Sequence, residues 1–213
     1  MSIPQRVIPL SPSHAPTVAL SLAAAFLPDP VLGLHLFRQD AYKASGAALF
    51  FANILSTHYA TPAQQQLCSV APAPVGGGAV GAALWQPPGA PQGLPLSAML
   101  RMFAVAPSVF GFTRVLRALR VGMAVDAVHP PTRHYYLAFL GVDPAWQGKG
   151  LGRALLQPVL ERADAEGEDC YLENSNAANT KFYESCGFAV VREVELPGGG
   201  PRVQCMLRKP QKV

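Results

Sequence analysis

From its start to about residue 130, the chain alternates short extended runs with longer stretches of helical period. Gln5 to Leu10 reads as a short strand. The apolar positions from there to Leu27 read as an amphipathic helix capped by Ser11 or Ser13 and stopped by Pro28-Asp29-Pro30. Val31 to Ser56 reads as one or two further helices, broken near Gln39 to Lys43. Leu67 to Ala71 and Ala79 to Gln86 are apolar enough for two strands across the turn from Pro72 to Gly78, and Pro87-Pro88-Gly89 ends the second. Leu96 to Val105 and Ser108 to Val128 return to helical spacing, closed by His129-Pro130-Pro131.

The second half is more regular. The apolar run His134 to Val142 predicts a buried strand, a glycine-rich turn follows, and Arg153 to Glu166 predicts a helix. Leu151, Leu155 and Val159 recur every four residues, as a buried helical face requires. Pro158 lies inside that helix and predicts a kink or a lost hydrogen bond. Gly167 ends it. Cys170 to Asn174 is the next strand, Asn176 to Cys186 a short helix stopped by Gly187, and Phe188 to Leu196 with Arg202 to Arg208 a terminal hairpin.

Composition narrows the class. At 213 residues, with 50% hydrophobic and 14% charged, the chain predicts one globular domain with a sizeable core. The net charge of +4 is uneven: residues 1–133 hold 8 Lys+Arg against 3 Asp+Glu (+5), and residues 134–213 hold 9 against 10 (−1). Arg114, Arg117 and Arg120 lie along one side of a helix and read as a solvated face, too sparse for a nucleic-acid stripe. Cys68, Cys170, Cys186 and Cys205 form no C-x-x-C pair, which points to core residues in a reducing, cytoplasmic setting. Arg6 followed by Val18 to Leu27 only loosely imitates a leader peptide, because prolines at 4, 9, 12 and 16 interrupt it. No apolar run approaches the roughly 18 residues of a membrane span, and no H-E-x-x-H or His/Cys cluster suggests a metal.

The chemistry sits in Gln147-Gly148-Lys149-Gly150-Leu151-Gly152-Arg153. Strand, glycine turn and helix start together present bare amides and a positive helix end to an anion. A Walker A loop would need Ser or Thr after Gly-Lys, and a dinucleotide fingerprint would need Gly at 153, where Arg153 stands. The form Q/R-x-x-G-x-G/A is met, and it resembles the pyrophosphate loop of the GNAT superfamily of acyl-CoA N-acyltransferases. The stretch Tyr171 to Asn179, then Phe182-Tyr183 and Gly187-Phe188, is similar to that family's second acyl-CoA motif. The likeness covers about residues 134–209. Val142-Asp143-Pro144, Tyr171-Leu172-Glu173 and Cys205-Met206-Leu207 further resemble the puromycin N-acetyltransferases within it, whereas residues 31–133 depart from them.

The resemblance implies an α/β fold: a mixed, largely antiparallel sheet splayed between two central parallel strands and flanked by helices. It implies acetyl-CoA as acyl donor and no metal. Backbone at Leu140, Gly141 and Val142 would meet the thioester and pantetheine. Gln147, Gly148, Lys149, Gly150, Gly152 and Arg153 would meet the phosphates, and Asn179 the pantetheine arm. Asn179 and Tyr183, four residues apart, are expected on one helix face. Tyr183 is the candidate general acid for the departing thiolate. Glu173 shares a strand face with Tyr171 and reads either as a base acting through a water or as a salt-bridged carboxylate. Residues 11–133 would shape the acceptor pocket, with Phe26, Trp85, Met99, Met102, Phe103 and Phe110 as apolar candidates and His134 at its edge. The expected partner is a small-molecule or aminoacyl amine, with neither nucleic acid nor membrane and a possible homodimer. Two readings stay open beside it: acetylation of a protein or peptide, and a non-catalytic acyl-CoA sensor.

Overall fold

The computed structural model describes residues 7–74, 78–90 and 96–211, except the side chains of 58 and 96–99. A seven-stranded sheet runs in the order β1-β2-β3-β4-β5-β7-β6. Its strands are β1 (Ile8–Pro9), β2 (Ser69–Pro72), β3 (Ala79–Gln86), β4 (His134–Val142), β5 (Asp169–Asn174), β6 (Ala189–Glu195) and β7 (Arg202–Arg208). Every neighbouring pair is antiparallel except β4 and β5. That parallel pair is matched only at His134 with Asp169, Tyr135 with Cys170 and Tyr136 with Tyr171. β4 then continues to Val142 and β5 to Asn174 without pairing, so a wedge opens in the middle of the sheet.

Helices cover both faces. On one lie α1 (Ala15–Phe26), α2 (Lys43–His58), α4 (Leu96–Phe110) and α5 (Val115–Asp126), whose apolar sides form one core with Val70, Ala82, Leu84 and Phe139. On the other, α6 (Leu151–Glu166) and α7 (Thr180–Glu184) close a second core around Trp85, Leu137, Leu155, Leu156 and Leu172. A short α3 (Pro62–Leu67), held by a Thr61–Gln64 capping box, was not anticipated from the sequence. Among the described residues, no single helix is long and apolar enough to cross a membrane.

Three local expectations change. Neither Ser11 nor Ser13 caps α1: their hydroxyls lie 2.8 Å apart, Ser11 also meets the His14 ring at 2.9 Å, and a 3-10 turn at Pro12–His14 leads into the helix. Val31 falls in a π-helix, Pro30–Leu36, whose wider winding is started by Asp29 accepting from the amides of Val31 and Leu32. Pro158 lies inside α6 with the lost hydrogen bond expected of it, and its ring is exposed, so the carbonyl it strands can turn to water. Arg114 is no solvated residue, since it donates to the carbonyls of Leu34, His35 and Phe37 at 3.1–3.2 Å and closes the open end of the π-helix.

β4 carries one residue more than β3 opposite it. Leu84 faces Phe139 and Trp85 faces Leu137, so Ala138 is a bulge. The bulge changes the side-chain phase. Tyr135 and Leu137 pack in the α6 core before it, Leu140 and Val142 after it, and Ala138 and Phe139 both face the opposite side. The C-terminal strand is fastened by Arg208, which is 3% exposed, pairs with both Asp164 oxygens at 2.7 Å and donates to the Cys186 carbonyl at 3.1 Å.

Arg208 holds the Asp164 carboxyl below the usual carboxylate range. The pair therefore stabilises the fold at neutral pH and above about 4, and that support is lost as pH falls through the folded value. Arg208→Leu strands Asp164 and should cost about 3 kcal/mol or more in urea unfolding at pH 7. The difference from wild type should shrink as the medium is acidified below pH 4.

Candidate active site

The wedge between β4 and β5 divides the site into a slot and a cavity. The slot begins at the exposed β4 edge. Leu140, Gly141 and Val142 pair with Ala83, Ala82 and Gly81 of β3 on one side, and β5 has already diverged on the other. On that side β5 takes up none of their backbone groups, and the Val142 carbonyl alone meets a side chain, accepting from Gln147 at 3.0 Å among the described residues. Gly141 is demanded by packing, since a Cβ there would lie 2.7 Å from Leu22 Cδ2 of α1.

The glycine turn sits at the far end of this edge. Gly148 has φ +72° with open space where a Cβ would project, and Gly150 caps α6 in the left-handed conformation at φ +78°. No side chain caps α6, so its first-turn amides are left for a ligand. Gly152 is needed for the ring of Phe182, 3.2 Å from its would-be Cβ. Gln147 donates to the Val142 carbonyl at 3.0 Å and ties the turn to β4. Lys149 donates to the Ala145 carbonyl and lies 4.4 Å above the Trp146 ring, and Arg153 donates to Ser185 Oγ at 2.7 Å. Both cations thus stand exposed at the mouth of the turn.

The expected pairing of Asn179 with Tyr183 is altered. A 3-10 turn over Ala177–Asn179 precedes α7, and its tighter winding leaves Asn179 exposed while Tyr183 turns inward. Tyr183 is 8% exposed and packs against Phe182 and Phe188. Burial first, then the nearby charge of Asp29, pushes its phenol well up, so it keeps its proton.

The cavity lies on the α1/α2/α4/α5 side of the wedge and measures about 680 Å³. Phe26, Phe50, Met102, Phe110 and Phe139 supply an apolar wall, to which the bulge at Ala138 contributes Phe139. Of the other apolar candidates, Phe103 also borders it. Trp85 is wholly buried in the opposite core, and the Met99 side chain lies outside the described residues. The polar end is formed by Glu173, His134, Tyr136 and three residues whose importance was not read from the sequence: Asp29, His129 and Ser175.

Strand alternation sets Tyr171 and Glu173 on the cavity side and Leu172 in the opposite core, as expected. The Glu173 side chain is 8% exposed, its Oε1 is buried with no hydrogen-bond donor, and His129 Nδ1 lies 3.5 Å from it. Burial and then the Glu173 carboxylate push the Tyr136 and Tyr171 hydroxyls well up. Asp29 accepts from Ser175 Oγ, and burial raises its carboxyl despite that bond. It was passed over because Pro28-Asp29-Pro30 reads as a helix stop; an Asp two residues before an apolar run is also an N-cap signature.

Residues 58–188 match the model of the acetyltransferase (GNAT) family. The chain belongs to that family. An uncharacterised N-acetyltransferase of Schizosaccharomyces pombe is 35% identical over 79 residues, 36% of this chain and 32% of that protein. A mycothiol acetyltransferase of Beutenbergia cavernae is 47% identical over 77 residues, 35% of this chain and 25% of that one. The chain thus spans a third or less of the length of these curated relatives. A crystal structure from Corynebacterium glutamicum, described as histone acetyltransferase HPA2 and related acetyltransferase, superposes with a TM-score of 0.72 at 25% identity and covers 97% of both chains.

Glu173→Gln tests whether the carboxylate is kept for function. An amide puts a donor within reach of His129 Nδ1 and removes a charge whose Oε1 is buried without a hydrogen-bond donor among the described residues. The variant should unfold later than wild type, by about 1 kcal/mol, in the absence of ligands.

Proposed function

We propose that the protein transfers an acetyl group from acetyl-CoA to a primary amine of a small molecule or aminoacyl compound, without a covalent enzyme intermediate. One observation carries the reading: the cavity meets the β4/β5 wedge where Glu173 stands, so an amine in the one would face an acyl group in the other. Residues of the slot fit the donor. The bare α6 terminus, with Gly148 and Gly150, offers amides to phosphates, and Lys149 and Arg153 add charge at its mouth. The unpaired edge of β4 from Leu140 to Val142 offers backbone donors and acceptors to the arm, with Asn179 exposed across the wedge. When bound, the thioester supplies an activated acyl carbon.

The chain's own groups handle protons. Glu173 takes one from the incoming ammonium, directly or through a water, because only the neutral amine has a lone pair to attack with. An amide of β4 polarises the acyl oxygen. Tyr183 keeps its proton at neutral pH and supplies it, as a hydrogen bond or outright, to the departing sulfur. Cys170 and Cys68, both pushed up to about 12 by burial, are poor nucleophiles.

The amine is of small size on this reading, because α4 and α5 wall the cavity that a peptide would have to cross. A body with apolar bulk suits the phenylalanine-rich wall. The four cysteines are unpaired and buried, which suits a reducing, cytoplasmic setting. A homodimer finds its best footing in Phe112, Leu116, Leu119 and Met123, exposed in a row on and before α5.

Thiol release from acetyl-CoA should be amine-dependent across a panel of puromycin, polyamines, aminoacyl esters and a peptide N-terminus, with the aminoacyl compounds best. Tyr183→Phe should lower kcat by about 100-fold with KM nearly unchanged. A peptide acetylated faster than any small amine would replace this acceptor class, and tight acetyl-CoA binding without turnover would leave a sensor.

A further inference from the structure

We propose that the amine's proton comes to rest on His129 Nδ1, and that Thr132 and His134 select the imidazole tautomer that leaves this nitrogen bare. The inference rests on the acetyl-transfer reading above and concerns residues of the connection between α5 and β4.

The argument is a count of hydrogens. His134 Nδ1 lies 2.6 Å from the Thr132 carbonyl, which can only accept, so Nδ1 carries the hydrogen. In the neutral ring, His134 Nε2 then has a lone pair. His129 Nε2 is 2.9 Å from it and must donate. A neutral His129 with its hydrogen on Nε2 has a bare Nδ1, and this atom faces Glu173 Oε1 at 3.5 Å. Two acceptors therefore confront each other; Oε1 is buried without a hydrogen-bond donor among the described residues, while the Tyr136 and Tyr171 hydroxyls lie beside the same carboxylate. One proton delivered to this gap satisfies both. With His129 neutral the arrangement is short of one hydrogen, and it is complete after deprotonating a substrate.

The ring is held for that task. His129 meets Tyr136 edge-on at 4.7 Å and Tyr171 at 5.1 Å, and its side chain is only 12% exposed. Titratable neighbours come from each element around it: His134 and Tyr136 on β4, Tyr171, Glu173 and Asp169 on β5, Asp126 on α5 and Arg133 beside β4. Burial lowers His134, which keeps it the neutral, accepting partner. In balance, R–NH3⁺ gives one proton through Glu173 to His129. The nitrogen then bonds to the acyl carbon as the C–S bond breaks. A second N–H proton goes to the thiol or makes good the one that Tyr183 gives it, the third stays in the amide, and His129 returns its proton to water.

Two measurements test this. Long-range ¹H–¹⁵N spectra of the imidazoles, assigned with His129→Gln and His134→Gln, should show His134 as the Nδ1–H tautomer and His129 as Nε2–H. The opposite tautomer at either ring overturns the proposal whatever the activity. In kinetics at pH 7, His129→Gln should lower kcat/KM about 100-fold for an alkylamine of pKa near 10.4. For an aminoacyl ester with an amine near 7.7, already neutral in roughly one molecule in six, the loss should be about fivefold or less. With the alkylamine, the variant's rate should keep rising with pH towards the amine's own pKa. Equal losses on both amines would make His129 merely structural. A wild-type protein that acetylates neither amine would instead sink the acetyl-transfer reading, and the proposal with it.

Discussion

The site depends on a parallel strand pair that lets go early. β4 and β5 share only three matched positions, and each then runs on alone. Unpaired strand edges in a sheet interior are costly unless something else satisfies their amides and carbonyls. The neighbouring strands hold only the outer sides: β3 pairs β4 as far as Val142 and β7 pairs β5 as far as Asn174, while the groups that face the gap are left to solvent or a ligand. Each half of the sheet is thus complete on its outer side, and the gap between them can persist. The glycine turn, the α6 terminus and Glu173 owe their placement to that gap.

Packing explains why the halves stay apart. Cores of different make-up lie on the two faces, one dominated by phenylalanines from α1, α2 and α4, the other by aliphatic residues of α6. Phe26, Phe50, Phe51 and Phe139 contact one another at centroid distances of 5.1–6.1 Å, a rigid block beside the cavity. The bulge at Ala138 brings Phe139 into this block without moving Leu137 out of the other core. A straight β4 would place one of the two side chains on the wrong face.

Much of the second half was legible because its signals are local. A run from His134 to Val142, glycines at 148, 150 and 167, and a four-residue apolar repeat delimit β4 and the end of α6 at the observed residues, and the start of α6 to within two. Glu173 was placed by alternation alone. The rest depends on contacts distant in the chain. Asp29 meets Ser175 across 146 positions, and Arg114 caps carbonyls about 80 residues earlier. The sequence near either end carries no mark of the partner. His129 looked like part of a proline-rich stop, since its meaning comes from a ring and a carboxylate supplied by two other strands. The π-helix was missed for a similar reason: its winding answers to its cap and to Arg114 and leaves no distinctive period.

Asp29 belongs to neither half of the family's shared machinery. It stands outside the matched stretch of residues 58–188, yet it holds Ser175 on the β5 side of the wedge and its charge is felt at Tyr183. The N-terminal segment that lines the cavity is therefore tied to the β5 side of the wedge through a carboxylate. Exchanging its helices is not without consequence on the far side of the gap. Any graft that replaces residues 15–58 must bring a residue able to accept from Ser175, or the β5 side will register the change.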